Sequence, residues 1–111
     1  MLAAAITVAA AVSTPAMAQP GQCSVTGFGS FACDLVVDGG GFSFALPNRD
    51  TLVFTPVDLE LGLVFLIPAD AKAGQRPREL GEFAAVPDKP GCWVDEDGYQ
   101  FCALVFKEVN T

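Results

Sequence analysis

The chain of 111 residues contains no histidine. Histidine is the usual general base near neutral pH, and it is the commonest protein ligand of zinc and copper. Its absence excludes Ser-His-Asp and Cys-His catalytic arrangements. A Cys-x-x-Cys redox motif and a glycine-rich phosphate loop are also missing from the sequence. A carboxylate pair is the one generic catalytic option left, and no spacing sets two carboxylates apart from the others. We therefore expect no cofactor, no metal and no enzymatic activity.

Basic residues are few, with 6 Lys and Arg against 13 Asp and Glu, so the net charge is −7. An acidic domain repels nucleic acid and anionic lipid surfaces. We expect no nucleic-acid partner, and if charge matters to binding, the partner is basic. The alternative is that the charge only keeps the protein in solution.

The first 18 residues lack charge altogether. An apolar stretch from Leu2 to Val12 is followed by Ala16-Met17-Ala18, which is typical of a signal-peptidase site. We predict a cleavable signal peptide over residues 1–18 and a single domain over residues 19–111. No Lys or Arg precedes the apolar stretch, and a translation start further upstream would supply one. The alternative is a buried N-terminal helix, which is disfavoured because the stretch is too short to span a bilayer and has no amphipathic pattern.

Four cysteines in a short exported chain predict two disulfides and an oxidising compartment, either the periplasm or the cell exterior. Nine residues separate Cys23 from Cys33, and nine also separate Cys92 from Cys102. Each span fits one β-hairpin, which favours the pairs Cys23–Cys33 and Cys92–Cys102. The two crossed connectivities remain open from the sequence alone.

The two cysteine spans predict the same hairpin layout. In the second span, Cys92 lies opposite Cys102 and the loop is Glu96-Asp97-Gly98, where Gly98 takes the left-handed position that a three-residue loop needs. The first span would place Cys23 opposite Cys33 around Gly27-Phe28-Gly29. Six of fourteen aligned positions match between residues 23–36 and 92–105. This similarity reflects either an internal duplication or convergence of two similar hairpins.

The rest of the chain consists of short apolar runs separated by Gly, Pro, Asn and Asp, the pattern of an all-β protein. We predict an antiparallel sandwich or barrel of six to eight strands. Phe42, Phe44 and Leu46 share one face, and Pro56 breaks or bulges its strand. Leu59, Leu61, Leu63 and Phe65 also share a face, and their alternates are Glu60, Gly62, Val64 and Leu66, so we expect that strand to run from half-buried to fully buried. The predicted strands cover residues 23–26, 31–37, 42–46, 51–55, 58–67, 79–86, 92–95 and 99–106.

Three features are candidates for binding. The one long connection, residues 68–78, carries Lys72, Arg76 and Arg78, which would contact an anionic partner or remain flexible and solvated. An acidic hairpin tip, Asp95-Glu96-Asp97, would touch calcium or, as the simpler alternative, only water. The single tryptophan, Trp93, is either an exposed binding anchor or part of the core.

The order of motifs resembles that of small exported bacterial β proteins that have no assigned activity. The motifs are a short Cys hairpin, Gly-Gly-Gly-Phe-Ser-Phe at residues 39–44, a β meander, and Pro-Gly-Cys-Trp-Val at residues 90–94 before Cys102. In size, compartment, acidity and disulfides the chain is also similar to periplasmic lysozyme inhibitors of the small β-barrel kind. That similarity implies an acidic scaffold that meets a basic enzyme. No inhibitory motif matches residue by residue, so no site is transferred.

These observations together predict a non-catalytic exported module that binds a protein or a component of the cell envelope. An inhibitor of a basic cell-wall hydrolase is the first alternative. A structural envelope protein is the second.

Overall fold

The computed structural model describes residues 17–105, which form eight antiparallel strands closed into a barrel. The all-β class, the eight-strand count and the antiparallel pairing agree with the sequence prediction. No helix in this part of the chain is long and apolar enough to cross a membrane. The strands are β1 (Met17–Val25), β2 (Gly29–Asp38), β3 (Gly41–Ala45), β4 (Thr51–Pro56), β5 (Leu61–Ile67), β6 (Arg78–Ala85), β7 (Cys92–Val94) and β8 (Gln100–Val105).

Residues 1–16 and 106–111 lie outside the described part of the chain. Most of the predicted signal peptide falls there, as do Phe106 of the last predicted strand and the end of the predicted domain. The predicted cleavage point after Ala18 falls within β1, where Ala18 pairs with Val36.

Each strand pairs with the next along the chain, and β8 returns to pair with β1 from Gly21↔Val105 to Val25↔Phe101. Short turns make this order possible. Between β2 and β3 only Gly39 and Gly40 remain unpaired, and both have positive φ, at 61° and 90°. Such a two-residue turn needs left-handed backbone at both positions, which glycine adopts without steric cost.

Inward-facing aromatic rings fill the barrel. The rings of Phe44, Phe83 and Phe101 are almost completely buried, and Phe101 contacts both of the others. Phe42 and Phe54 lie in the same cluster, with their ring centroids 5.2 Å apart. The predicted common face of Phe42, Phe44 and Leu46 is confirmed as the core face. Burial of these large apolar groups is the main source of the fold's stability.

Strand β5 differs from the prediction at its start. It begins at Leu61 rather than at residue 58, because the Asp58 carboxylate accepts hydrogen bonds from the backbone N–H groups of Glu60 (2.8 Å) and Leu61 (2.9 Å) and holds a turn there. Leu59 consequently points into solvent and is 93% exposed. Pro56 is the last residue of β4, so it ends that strand.

Both predicted disulfides are present. Cys92 and Cys102 lie directly opposite each other, with their Cα atoms 3.9 Å apart. The predicted register of the first hairpin is wrong, because Cys23 pairs with Phe31 and Cys33 with Gly21. The Cys23–Cys33 bridge is therefore diagonal, with a longer Cα–Cα distance of 5.8 Å.

The shift in the first hairpin arises at its loop, which is residues 26–28 rather than 27–29. The N–H of Phe28 donates to the Val25 carbonyl oxygen over 2.8 Å and closes the turn one residue early. Gly29, with φ of 73°, then opens the return strand.

The two ends of the barrel differ. We call the end that carries the loops β1–β2, β3–β4, β5–β6 and β7–β8 the upper end, and the opposite end the lower end. At the lower end β2 pairs with β3 and β6 pairs with β7. Towards the upper end these two pairs of strands separate, because β2 and β3 pair only from Val36↔Ser43 to Asp38↔Gly41, and β6 and β7 only at Ala84↔Val94 and Ala85↔Trp93.

We call these gaps the β2–β3 seam and the β6–β7 seam. They divide the barrel into a half made of β7, β8, β1 and β2, which carries both disulfides, and a half made of β3 to β6.

Candidate functional site

The topology brings the long connection and the acidic tip to the same end of the barrel. The long connection joins β5 to β6 and the acidic tip joins β7 to β8, so both belong to the upper end. They flank the β6–β7 seam from its two sides. The sequence singled out the two features separately and gave no indication that they are neighbours.

The long connection is held in turns. The N–H of Ala71 donates to the Pro68 carbonyl oxygen over 3.0 Å, and Lys72 and Gln75 exchange hydrogen bonds of 3.0 and 2.9 Å. The N–H of Ala69 also donates to the Asp50 carboxylate of the neighbouring loop over 2.9 Å. These bonds give the loop a defined shape without burying it.

The three basic residues of this connection are not grouped in one site. Lys72 and Arg76 are exposed on the loop itself. Arg78 is the first residue of β6 and lines a cavity at the mouth of the barrel together with Asp95 and Asp97. Arg78 therefore shares a cavity with the acidic tip.

The acidic tip is built around Asp95. One oxygen of its carboxylate accepts hydrogen bonds from the backbone N–H groups of Asp97 and Tyr99, each over 2.9 Å. Gly98 has φ of 90°, which confirms the left-handed position that the sequence predicted. Asp95 thus orders the tip, while Glu96 and Asp97 are left exposed to solvent.

Tyr99 lies at the base of the tip and is half-buried. Burial raises the pKa of its hydroxyl above the usual value of 10.0, and the negative charge of Asp95 raises it further. The tyrosine therefore stays neutral at physiological pH and packs edge-to-face against Phe83, with their ring centroids 6.1 Å apart.

The tip is also braced against the first cysteine hairpin. The N–H of Thr26 donates to the carbonyl oxygen of Gln100 over 2.9 Å, and the N–H of Gln100 donates to the Thr26 hydroxyl over 2.9 Å. The two disulfide hairpins therefore form one unit at the upper end.

A cleft opens along the β6–β7 seam. On the outer wall it has a volume of about 560 Å³ and its charged lining is entirely acidic: Glu82, Asp95, Glu96 and Asp97. Its apolar lining comes from Leu61, Leu80, Ala84 and Val94. A second cavity of about 360 Å³ at the barrel mouth shares Leu80, Asp95 and Asp97 with the first, so the two adjoin.

The β6 side of this cleft contains a β-bulge. Val64 pairs with Gly81 and Phe65 with Glu79, which leaves Leu80 as the extra residue of β6. Gly81 has φ of 105°, and a methyl group added there would meet no atom within 4 Å. The bulge bends β6 beside the open space.

This cleft was not predicted, although the lengths of the neighbouring strands gave one indication of it. The cysteine hairpin leaves room for only a three-residue β7, whereas β6 has eight residues, so most of β6 extends beyond its neighbour.

The β2–β3 seam forms a different cavity of about 450 Å³, whose lining includes Phe31, Leu46 and one acidic residue, Asp34.

Trp93 is half-buried and packs against the core of the barrel. It pairs with Phe101 on the inward face of β7, and its ring centroid lies 4.5 Å from that of Phe54. The half-buried side chain belongs to the core, which was the alternative that the sequence left open.

No group of three or more carboxylate or thiol side chains in residues 17–105 is placed to hold a metal ion. Comparison of the chain with protein-family models, curated protein sequences and solved structures finds no match.

Proposed function

We propose that this protein is a non-catalytic exported module that binds a protein or an envelope component at the upper end of its barrel. The observation that carries the proposal is the cleft at the β6–β7 seam, with strand β6 on one side and the ordered acidic tip on the other. Rigid scaffolds commonly present binding elements in this way.

A further observation supports the exported part of this proposal. Two disulfides suit an oxidising compartment outside the cytoplasm.

Site-specific photo-crosslinking in the exporting cell tests the proposal. A photoreactive residue replaces Asp97 at the upper end in one variant and the exposed Leu59 at the lower end in the control. We expect a discrete crosslinked product from position 97 and none from position 59. Equal products from both positions, or none from position 97, would contradict binding at the upper end.

A second candidate is inhibition of a basic cell-wall hydrolase, favoured by the four acidic side chains that line the cleft. Charge complementarity of this kind speeds association and is screened by salt. We expect added lysozyme to lose activity at low ionic strength and regain it as salt is raised. If lysozyme forms no salt-sensitive complex with the protein, this candidate is excluded.

A further inference from the structure

The upper part of β6 is an unpaired strand edge in the wall of the barrel. Residues 78–83 lie beside β5 through the pairs from Leu66↔Arg78 to Gly62↔Phe83, whereas pairing with β7 starts only at Ala84. Within residues 17–105 no strand covers the other side of this segment. Backbone N–H and C=O groups that point into the seam are therefore free to pair with an added chain.

The cleft beside this edge has the size and shape for an extended segment. Its volume of about 560 Å³ lies within the range of ~300–1,000 Å³ typical of ligand sites. One wall is the β6 edge and the other is the acidic tip, which Asp95 and the Thr26–Gln100 bonds hold in place. A peptide would enter a preformed gap and would not need to displace a strand.

The side chains that line the cleft indicate which kind of peptide segment would bind there. Glu82 on β6 faces the cleft from one side, and Glu96 and Asp97 face it from the other. Leu80 and Ala84 of β6 and Val94 of β7 supply apolar lining beside these charges. An extended chain presents alternate side chains to opposite faces, so basic residues that alternate with apolar ones match this lining.

A second copy of this chain fits the edge poorly. Pairing two β6 edges would bring Glu79 and Glu82 of both chains together, and each chain carries a net charge of −7. These features disfavour self-association and leave the edge open to a basic segment.

We propose that residues 78–83 of β6 bind an extended basic segment of a partner protein as an added β-strand in the β6–β7 seam. The inference rests on the proposed function and specifies its partner. The partner contributes main-chain hydrogen bonds to β6, and its Lys or Arg side chains pair with Glu82, Glu96 and Asp97.

The probe is an end-blocked peptide of alternating lysine and valine, and binding to the oxidised protein is measured by calorimetry. We expect binding that weakens with salt, together with slower hydrogen exchange of backbone amides in residues 78–83. A peptide in which proline replaces each valine keeps the charge but loses every second backbone N–H donor and has φ fixed near −65° at those positions, so it should bind at least tenfold more weakly.

Charge-neutral variants locate the site. Replacing Glu82→Gln and Asp97→Asn together should weaken lysine–valine peptide binding roughly three- to tenfold. The matched control, Glu60→Gln with Asp88→Asn at the lower end, removes the same charge and should leave affinity unchanged. Both sets are surface replacements, so circular dichroism can verify that the barrel is intact.

Three outcomes overturn the inference. They are no peptide binding, equal binding of the proline peptide, and equal effects of the two charge-neutral variants. If one of these occurs while crosslinking at position 97 still captures a partner, the proposal of strand addition is wrong but the proposed binding function is retained. If crosslinking also fails, the proposed function falls with it.

Discussion

At the scale of the residue, Tyr99 gives a direct test of the acidic tip. It is the single tyrosine of the chain, so tyrosinate absorbance reports on this residue alone. Because burial and the nearby Asp95 charge raise its pKa, the folded protein holds the phenol proton more tightly than the unfolded chain does. The resulting stability is present below the unfolded pKa of about 10 and is lost as the pH rises through the folded pKa.

We therefore expect the absorbance titration of the folded protein to have its midpoint at higher pH than that of the denatured chain. Asp95→Asn keeps the acceptor oxygen but removes the charge, so it should move the folded midpoint part of the way down. Coincident midpoints for folded and denatured protein would show that the tip does not bury Tyr99 as described.

Some residue-level roles could be predicted from the sequence and others could not. The left-handed Gly98 was predictable, because the spacing of Cys92 and Cys102 specifies a hairpin loop that needs it. The sheet face on which Trp93 lies could not be predicted, because its neighbours Cys92 and Val94 are also apolar and residues 92–94 show no alternation of polar and apolar side chains.

At the scale of the element, the two disulfide hairpins should each contribute to stability. Each bridge joins cysteines 10 positions apart, and in the chain-entropy model such a loop is worth about 2–3 kcal/mol. Replacing either cysteine pair by alanine should lower the free energy of unfolding by about that amount in chemical denaturation. A loss below about 0.5 kcal/mol for both pairs would contradict the entropic account.

The sequence predicted the pairing of both hairpins but the register of only one. The first loop contains two glycines, Gly27 and Gly29, and both adopt positive φ, so two loop positions are sterically open. In the second loop Gly98 is the single glycine that can take the left-handed position, so only one register of the hairpin places a glycine there. The number of permissive residues in a loop therefore decides how well its register can be predicted.

The face of strand β5 that points into the core also could not be predicted from the sequence. Its inward row contains Val64 and Leu66, and its outward row contains Leu63 and Phe65. Both rows are apolar, so alternation cannot assign the core side. Pairing with Phe54, which the sequence does not specify, settles it by placing Val64 inside.

At the scale of the whole molecule, closure of the barrel depends on pairing between the first and last strands. No local pattern encodes the contact from Gly21↔Val105 to Val25↔Phe101, which is why the sequence left a sandwich and a barrel equally open. The candidate site does not depend on that closure, because the pairing of β7 with β6 already sets the acidic tip beside β6.

The seams predict an uneven pattern of hydrogen exchange. Strands β4 and β5 have neighbours on both sides, whereas residues 78–83 have one only within the described chain. We expect some amides of residues 78–83 to exchange much faster than those of β4 and β5 and faster than Ala85, whose N–H donates to Glu60. Uniform protection along β6 would contradict an open seam.

The pairing of β1 with β8 also sets the order of events as the chain is made. β1 emerges first and its neighbour β8 last, so the barrel cannot close until nearly the whole chain is free of the ribosome or of a translocation channel. Until then β1 can form only its local hairpin with β2. A chain that has not yet folded can still pass through a translocation channel in an extended state. Each disulfide lies within one hairpin, so it can form before the barrel closes.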